Sequence, residues 1–291
     1  MKDIPTSPRI ALIKRKRRAR KIRLVILFVI LFFVSLYALS YFSSDRRLTI
    51  NKITITGNSI LDAKDLDKSI NEKLSGKYWG LFAHSHFLIY PNKKIYNSLL
   101  KDFPRIKELS LKLNGLNTLD VDITERSGSY LYCGESVPDN TDQVGENCYF
   151  VNNDGYIFDK APYFSGNVYF KYYLKLNSGD ENNPLGVQML PKDEFHKLVR
   201  FEEGIEGLGF KPAYLVIDDT NDTYSLYLKK DPISTVNPRI IFKKDNDLPT
   251  ILDNFSIAMN KSEFANEINS KYAKLTYIDL RFTNKVLYKF D

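Results

Sequence analysis

The chain has 291 residues, 43% hydrophobic and 13% aromatic, and 42 Lys/Arg against 35 Asp/Glu give a formal net charge of +7. That apolar content excludes a disordered polymer, and the length suffices for two domains of ordinary size. The basic excess is confined to one end: residues 1–23 hold ten Lys/Arg and one Asp, while the rest hold 32 against 34, so no nucleic-acid-binding body is expected.

Lys14, Arg15, Lys16, Arg17, Arg18, Arg20, Lys21 and Arg23 abut a run from Leu24 to Phe42 that contains no charge, no Pro and no Gly. As a helix of about 1.5 Å rise per residue, this run reaches roughly 28 Å, close to a hydrocarbon core of about 30 Å. The expectation is a basic cytoplasmic tail over 1–23, a transmembrane helix over 24–42 and a connector over 43–48. Lys and Arg concentrate on the cytoplasmic flank of a span, which predicts an inside N-terminus and an exported C-terminus. The tail can also bind anionic lipid of that membrane, at about 1 kcal/mol per basic residue. A cleaved leader is the competing reading, with Ala38-Leu39-Ser40 as its site, but the apolar region is longer and bulkier than leaders carry.

Beyond the connector, Ile53 and Ile55 alternate with Thr54 and Thr56 before Gly57-Asn58-Ser59, the pattern of a strand ending in a turn. Asp62 is a candidate N-cap, after which Ala63, Leu66, Ile70 and Leu74 share one helical face. A loop is expected from Ser75 to Ser85, around the only tryptophan. Ile95, Leu99 and Phe103 then mark a helix between Pro91 and Pro104. Leu109, Leu111 and Leu113, the turn Asn114 to Asn117, and Leu119, Val121 and Ile123 complete a hairpin. Residues 49–127 thus read as a βααββ module with both helices on one face of a small sheet and a polar face opposite.

Residues 128–291 read as a second, mainly antiparallel β domain with two helices, making the whole an α+β chain. Strands are expected at Tyr130 to Cys133, Cys148 to Val151, Tyr156 to Phe158, Val168 to Leu174, Tyr214 to Ile217, Tyr224 to Leu228 and Arg239 to Phe242. Asn153-Asp154-Gly155 signals a tight turn. The helices are expected at Pro191 to Leu208, with Phe195, Leu198 and Val199 inward, and at Leu248 to Met259. The polar segment Glu135 to Asn147 reads as a loop. Two final strands, Thr276 to Phe282 and Lys285 to Phe290, leave the last as a candidate sheet edge flanked by Lys285 and Lys289.

Cys133 and Cys148 are the only cysteines, and an exported disulfide or two separate thiols both satisfy the sequence. Neither has a histidine near in sequence, and His84, His86 and His196 lack the cysteine partners of a zinc site, so no metal and no cofactor is expected. No Gly-x-Ser-x-Gly, His-Glu-x-x-His or phosphate-loop motif occurs. The acid pairs Asp218-Asp219 and Glu202-Glu203 are expected on solvated faces, and most of the Tyr and Phe residues in the core. Tyr277 and Tyr288 are candidate exposed anchors for a protein partner.

Four pieces in this order resemble the FtsQ/DivIB family of bacterial cell-division proteins: the basic tail with one span, Ile50-Asn51-Lys52-Ile53-Thr54-Ile55-Thr56-Gly57-Asn58, the hairpin Cys148 to Phe158, and the ending Tyr277-Ile278-Asp279-Leu280-Arg281-Phe282 with Lys285-Val286-Leu287-Tyr288-Lys289. The resemblance implies a non-enzymatic scaffold at the division septum of the cytoplasmic membrane, built on a POTRA-like domain. It further implies FtsB/DivIC-like and FtsL-like bitopic partners, with other septal membrane proteins, and a terminal strand that receives a partner strand. The positions it carries over are Tyr277, Asp279, Arg281, Phe282, Val286, Leu287 and Tyr288. The readings from a different class are a membrane-anchored POTRA chaperone or secretion factor and a wall-modifying hydrolase, the latter disfavoured by the missing catalytic sets.

Overall fold

The computed structural model describes residues 8–135, 137, 148–162, 168–177, 183–218, 220–282 and 284–291. Most of the loop expected between the cysteines, Asp219 and Thr283 lie outside them. The chain divides into two compact units, Met1–Glu125 and Arg126–Asp291.

The first unit opens with a 36-residue helix, α1 (Pro8–Ser43), whose stretch Arg17–Ser43 is long and apolar enough to cross a membrane. Strand β1 (Lys52–Thr56) leads through Gly57 into α2 (Ala63–Leu74), where the Asp62 carboxylate accepts from the Lys64 amide at 2.9 Å. The segment expected as plain loop instead holds a miniature hairpin, β2 (Lys77–Tyr78) with β3 (Phe82–Ala83). Two-residue strands are too short to show an alternation. Helix α3 (Asn92–Asp102) starts directly after Pro91, and β4 (Ile106–Asn114) turns at Gly115 into β5 (Thr118–Glu125). The sheet order is β1-β5-β4, with β1 parallel and β4 antiparallel to β5. Leu66, Ile70, Ile95 and Leu99 from the helices pack on Leu119, Val121 and Ile123, all of them buried. Thr54, Thr56, Asp120 and Asp122 line the polar face opposite.

The second unit is built on one nine-stranded sheet. Its strands are β6 (Tyr130–Tyr132), β7 (Tyr149–Val151), β8 (Ile157–Lys160), β9 (Phe170–Tyr173), β10 (Pro212–Asp218), β11 (Thr223–Leu228), β12 (Arg239–Lys243), β13 (Leu275–Phe282) and β14 (Lys285–Phe290). They lie in the order β14-β13-β12-β11-β10-β9-β6-β7-β8. Five of the eight pairings are antiparallel; β12 with β13, β10 with β9 and β6 with β9 are parallel. A parallel pair needs a crossover. Helix α4 (Lys192–Gly207) lies on the connection from β9 to β10, and α5 (Leu248–Met259) and α6 (Ser262–Ser270) on that from β12 to β13.

The two-helix expectation for this domain is therefore corrected to three α-helices among the described residues. Helix α6 escapes the sequence because in nine residues only Ile268 is buried, too little to display a period. The core clusters Tyr172, Phe195, Phe201, Phe242 and Phe255 with aliphatic neighbours, and its rings pair as in Phe201–Phe242, 4.6 Å between centroids. Cys133 and Cys148 are joined in a disulfide that ties the end of β6 to the start of β7.

A candidate protein-interaction edge

Strand β14 is the last strand of the sheet: it pairs with β13 on one side, and among the described residues no strand pairs with its other side. The opposite end is different. There the Ile157 amide donates to the Val187 carbonyl, the Gly186 amide to Ile157, and the Met189 amide to Gly155, so a returning segment covers part of the β8 margin. Of the two ends, β14 is both the longer strand and the uncovered one.

All seven carried-over residues meet on β13 and β14. Tyr277 lies across from Lys289, Ile278 from Tyr288, and Asp279 from Leu287, with an irregularity between Asp279 and Phe282 before Phe282 faces Lys285. They are not equally free. Asp279 is 4% exposed, and its carboxylate accepts from the Arg281 amide at 3.0 Å, from Nε at 2.9 Å and from the terminal guanidinium nitrogen at 2.6 Å. Burial alone raises its pKa, but these Arg281 bonds, with the charges of Arg281 and Lys243, hold the carboxyl below the usual range. Asp279 thus orients Arg281, with both of its oxygens engaged by that side chain or its amide.

Tyr288 is likewise engaged. Its hydroxyl donates to Glu267 Oε2 at 2.7 Å, its ring meets Phe264 edge-on at 5.3 Å between centroids, and Lys271 Nζ donates to the other Glu267 oxygen at 2.8 Å. Helix α6, absent from the sequence-based expectations, therefore braces the edge strand from one face. Phe282 and Leu287 stay about half exposed, and Phe282 lines, with Ile257, Phe264, Leu280, Val286 and Tyr288, a groove between α5, α6 and the final hairpin. What this arrangement can do is pair backbone to backbone along β14 and seat an apolar side chain beside it.

The remaining candidates lie elsewhere. His84 Nδ1 lies 3.0 Å from the Ser75 carbonyl with its ring against Tyr78, and the His86 Nδ1 accepts from the Leu88 amide. Ser98 and Lys101 stand at a Ser-x-x-Lys spacing. On α3 the Ser98 hydroxyl donates to Asp102 Oδ2 at 2.8 Å, a local helix-surface bond.

The expectation that Glu202 sits on a solvated face is overturned. It lies four residues after Leu198 and seven after Phe195, on the inner stripe of α4, and its Oε2 is buried beside Phe170, Tyr172 and Phe242. Burial, with Glu206 and Glu203 adding like charge, pushes its pKa up to about 8, offset only in part by the Tyr172 hydroxyl. The i+4 and i+7 spacings were in the sequence to be read.

Glu125, missed entirely, closes the first unit. Its Oε1 accepts from the amides of Ser59, Ile60 and Leu61 at 2.6, 3.0 and 3.0 Å, and Arg105 lies 3.9 Å from Oε2 with both side chains 9% exposed. Three successive amides aimed at one oxygen form an anion nest at the entrance to α2.

Comparison with known proteins places these features. Residues 48–126 match the family model of the POTRA domain, FtsQ-type. No curated protein matches the chain. The matched stretch begins just after α1 and ends just after β5, so it takes in the βααββ module whole. A POTRA domain of the FtsQ type, set behind one helix able to cross a membrane, supports an FtsQ-like cell-division protein of the FtsQ/DivIB family.

Proposed function

We propose that this protein is a non-enzymatic, bitopic scaffold of the division septum, with residues 1–23 in the cytoplasm and the POTRA and β domains exported. The β domain captures a segment of an FtsB/DivIC-like partner, itself paired with an FtsL-like protein, by adding a strand to β14. The observation that supports this reading is the contrast between the two ends of the nine-stranded sheet: a returning segment covers part of the β8 margin, while β14 lies at the other end with no strand beyond it. An edge strand carries main-chain donors and acceptors in a row, and an added strand satisfies them without side-chain chemistry. Phe282, Leu287 and the rim of Tyr288 supply apolar contact, and Arg281, positioned by Asp279, supplies a charge.

Successive amides of a strand in an antiparallel pair point alternately to the neighbour and away. Proline at Leu287 or at Tyr288 therefore removes one outward donor in one case and one β13 bond in the other. The test is co-purification of the partner with full-length protein carrying L287P, Y288P, or a deletion of Lys285 to Asp291. The expected result is loss of capture in the deletion and in at least the variant whose outward donor is gone, while the POTRA domain keeps its hydrogen-exchange protection. Undiminished capture by all three removes the edge from the mechanism.

A further inference from the structure

The β2–β3 hairpin is an apolar projection that the proposed scaffold role does not use. Its loop, Trp79-Gly80-Leu81, presents the only tryptophan at 90% exposure and Leu81 at 38%. Trp79 holds φ at +49°, a left-handed conformation that costs a bulky L-residue about 1–2 kcal/mol. Among the described residues its indole meets no ring, hydrogen bond or ion pair that would offset this.

The hairpin is fastened to the end of the membrane helix. The Ser40 hydroxyl donates to the Leu81 carbonyl at 2.7 Å, and the Ala83 amide donates to the Ser43 hydroxyl at 2.9 Å, the latter bond buried. Both serines lie in the last turn of the stretch Arg17–Ser43, and Ser40 lies inside the apolar run that ends at Phe42. The Leu81 backbone is thus held level with the boundary of the span. Trp79 is two residues away, within about 7 Å at strand spacing, which is the depth of a headgroup layer. Tyr37 and Tyr41 are about three-quarters exposed on the same turns of the helix, and Lys77 flanks a cleft shared with Tyr37 and Tyr41.

We infer that the Trp79 hairpin is a second membrane contact, seated in the interfacial layer of the bilayer that α1 crosses and fixing the POTRA domain against its surface. An indole, apolar in body with one N–H donor, is favoured at that depth, as are the tyrosines beside it and a lysine reaching for lipid phosphate. The left-handed Trp79 backbone turns the ring out of the domain, which serves a lipid occupant and leaves a folded core with nothing to gain. This inference rests on α1 spanning the membrane and not on the β14 edge.

Because Trp79 is the only tryptophan, the intrinsic fluorescence of the unmodified full chain reports on this one site. The chain is reconstituted into phosphatidylcholine vesicles with and without bromine on the acyl chains. The expected result is an emission blue-shifted from hydrated indole and a quenching of at least about two-fold by the brominated lipid, as an interfacial ring requires. A second chain, W79F with I60W, moves the indole to an exposed position at the far end of β1, where no quenching is expected. Hydrated emission from Trp79 without quenching, the result of a hairpin reserved for a protein partner, overturns the inference, as does equal quenching at position 60.

Discussion

Replacing Glu125 by Gln tests whether one carboxylate locks the entrance to α2. The substitution keeps the shape and one acceptor oxygen but removes the charge that three amides share and turns the other oxygen into an NH2 group facing Arg105. Hydrogen bonds to a charged group are worth about 1.5–3 kcal/mol each, and losing the carboxylate charge beside Arg105 adds to the cost. The retained acceptor recovers part of that, so the POTRA domain should lose about 2–3 kcal/mol. Hydrogen exchange on the full chain in lipid nanodiscs reads this as a fall in protection of roughly 30- to 150-fold across α2, β4 and β5.

The pH dependence gives a second check. Burial raises the Glu125 pKa, but the amides of Leu61, Ser59 and Ile60 with the Arg105 charge outweigh it and leave the group below its ordinary 4.5. A depressed carboxyl stabilises the fold fully above its unfolded pKa, and the benefit disappears as pH falls through the folded value. Parent and E125Q should therefore converge in acid. A loss under about 1 kcal/mol at pH 7, or a difference that persists unchanged in acid, refutes the reasoning.

Glu202 has the opposite sign. With a folded pKa of about 8 it keeps its proton where the unfolded chain has released it, so stability of the β domain should decline as pH rises from about 4.5 to about 8, at about 1.4 kcal/mol per unit. E202Q should flatten that slope in a denaturation series and be the more stable chain at pH 8. Reduction of the Cys133–Cys148 disulfide, or its replacement by two serines, should lower the unfolding free energy of the β domain by about 3 kcal/mol for a loop of this length, measured by urea titration. G57A should unfold the POTRA domain readily, because the residue sits at φ +80° and a Cβ there would lie 2.0 Å from the Ile123 carbonyl oxygen; retained exchange protection in α2 would contradict this.

The POTRA domain was largely legible because its elements announce themselves locally: a period of two in β1, β4 and β5, of three to four in α2 and α3, and prolines at the edges of α3. Strand order in the β domain was not legible, since pairing β6 with β9 and β12 with β13 depends on crossovers that no local pattern encodes. At the candidate edge, position was readable and availability was not. Nothing in the spelling of Asp279-Leu280-Arg281 shows that the acid is consumed by the arginine, and nothing near Tyr288 reveals Glu267, which arrives on a helix too short and too polar to be seen. Glu125 was hidden for the same reason, as its partners Ser59 to Leu61 are more than sixty positions away.

The covered β8 margin bears on stoichiometry. A sheet open at both ends could add copies of itself indefinitely, each donated margin exposing the next, and would drift toward filaments at high local density. With one end partly covered by residues 186–189, a strand added at the other end favours a closed pair over a propagating array. Under the proposed strand capture, each copy is then a single-valent receptor, and the number of partner chains recruited is set by the number of receptors.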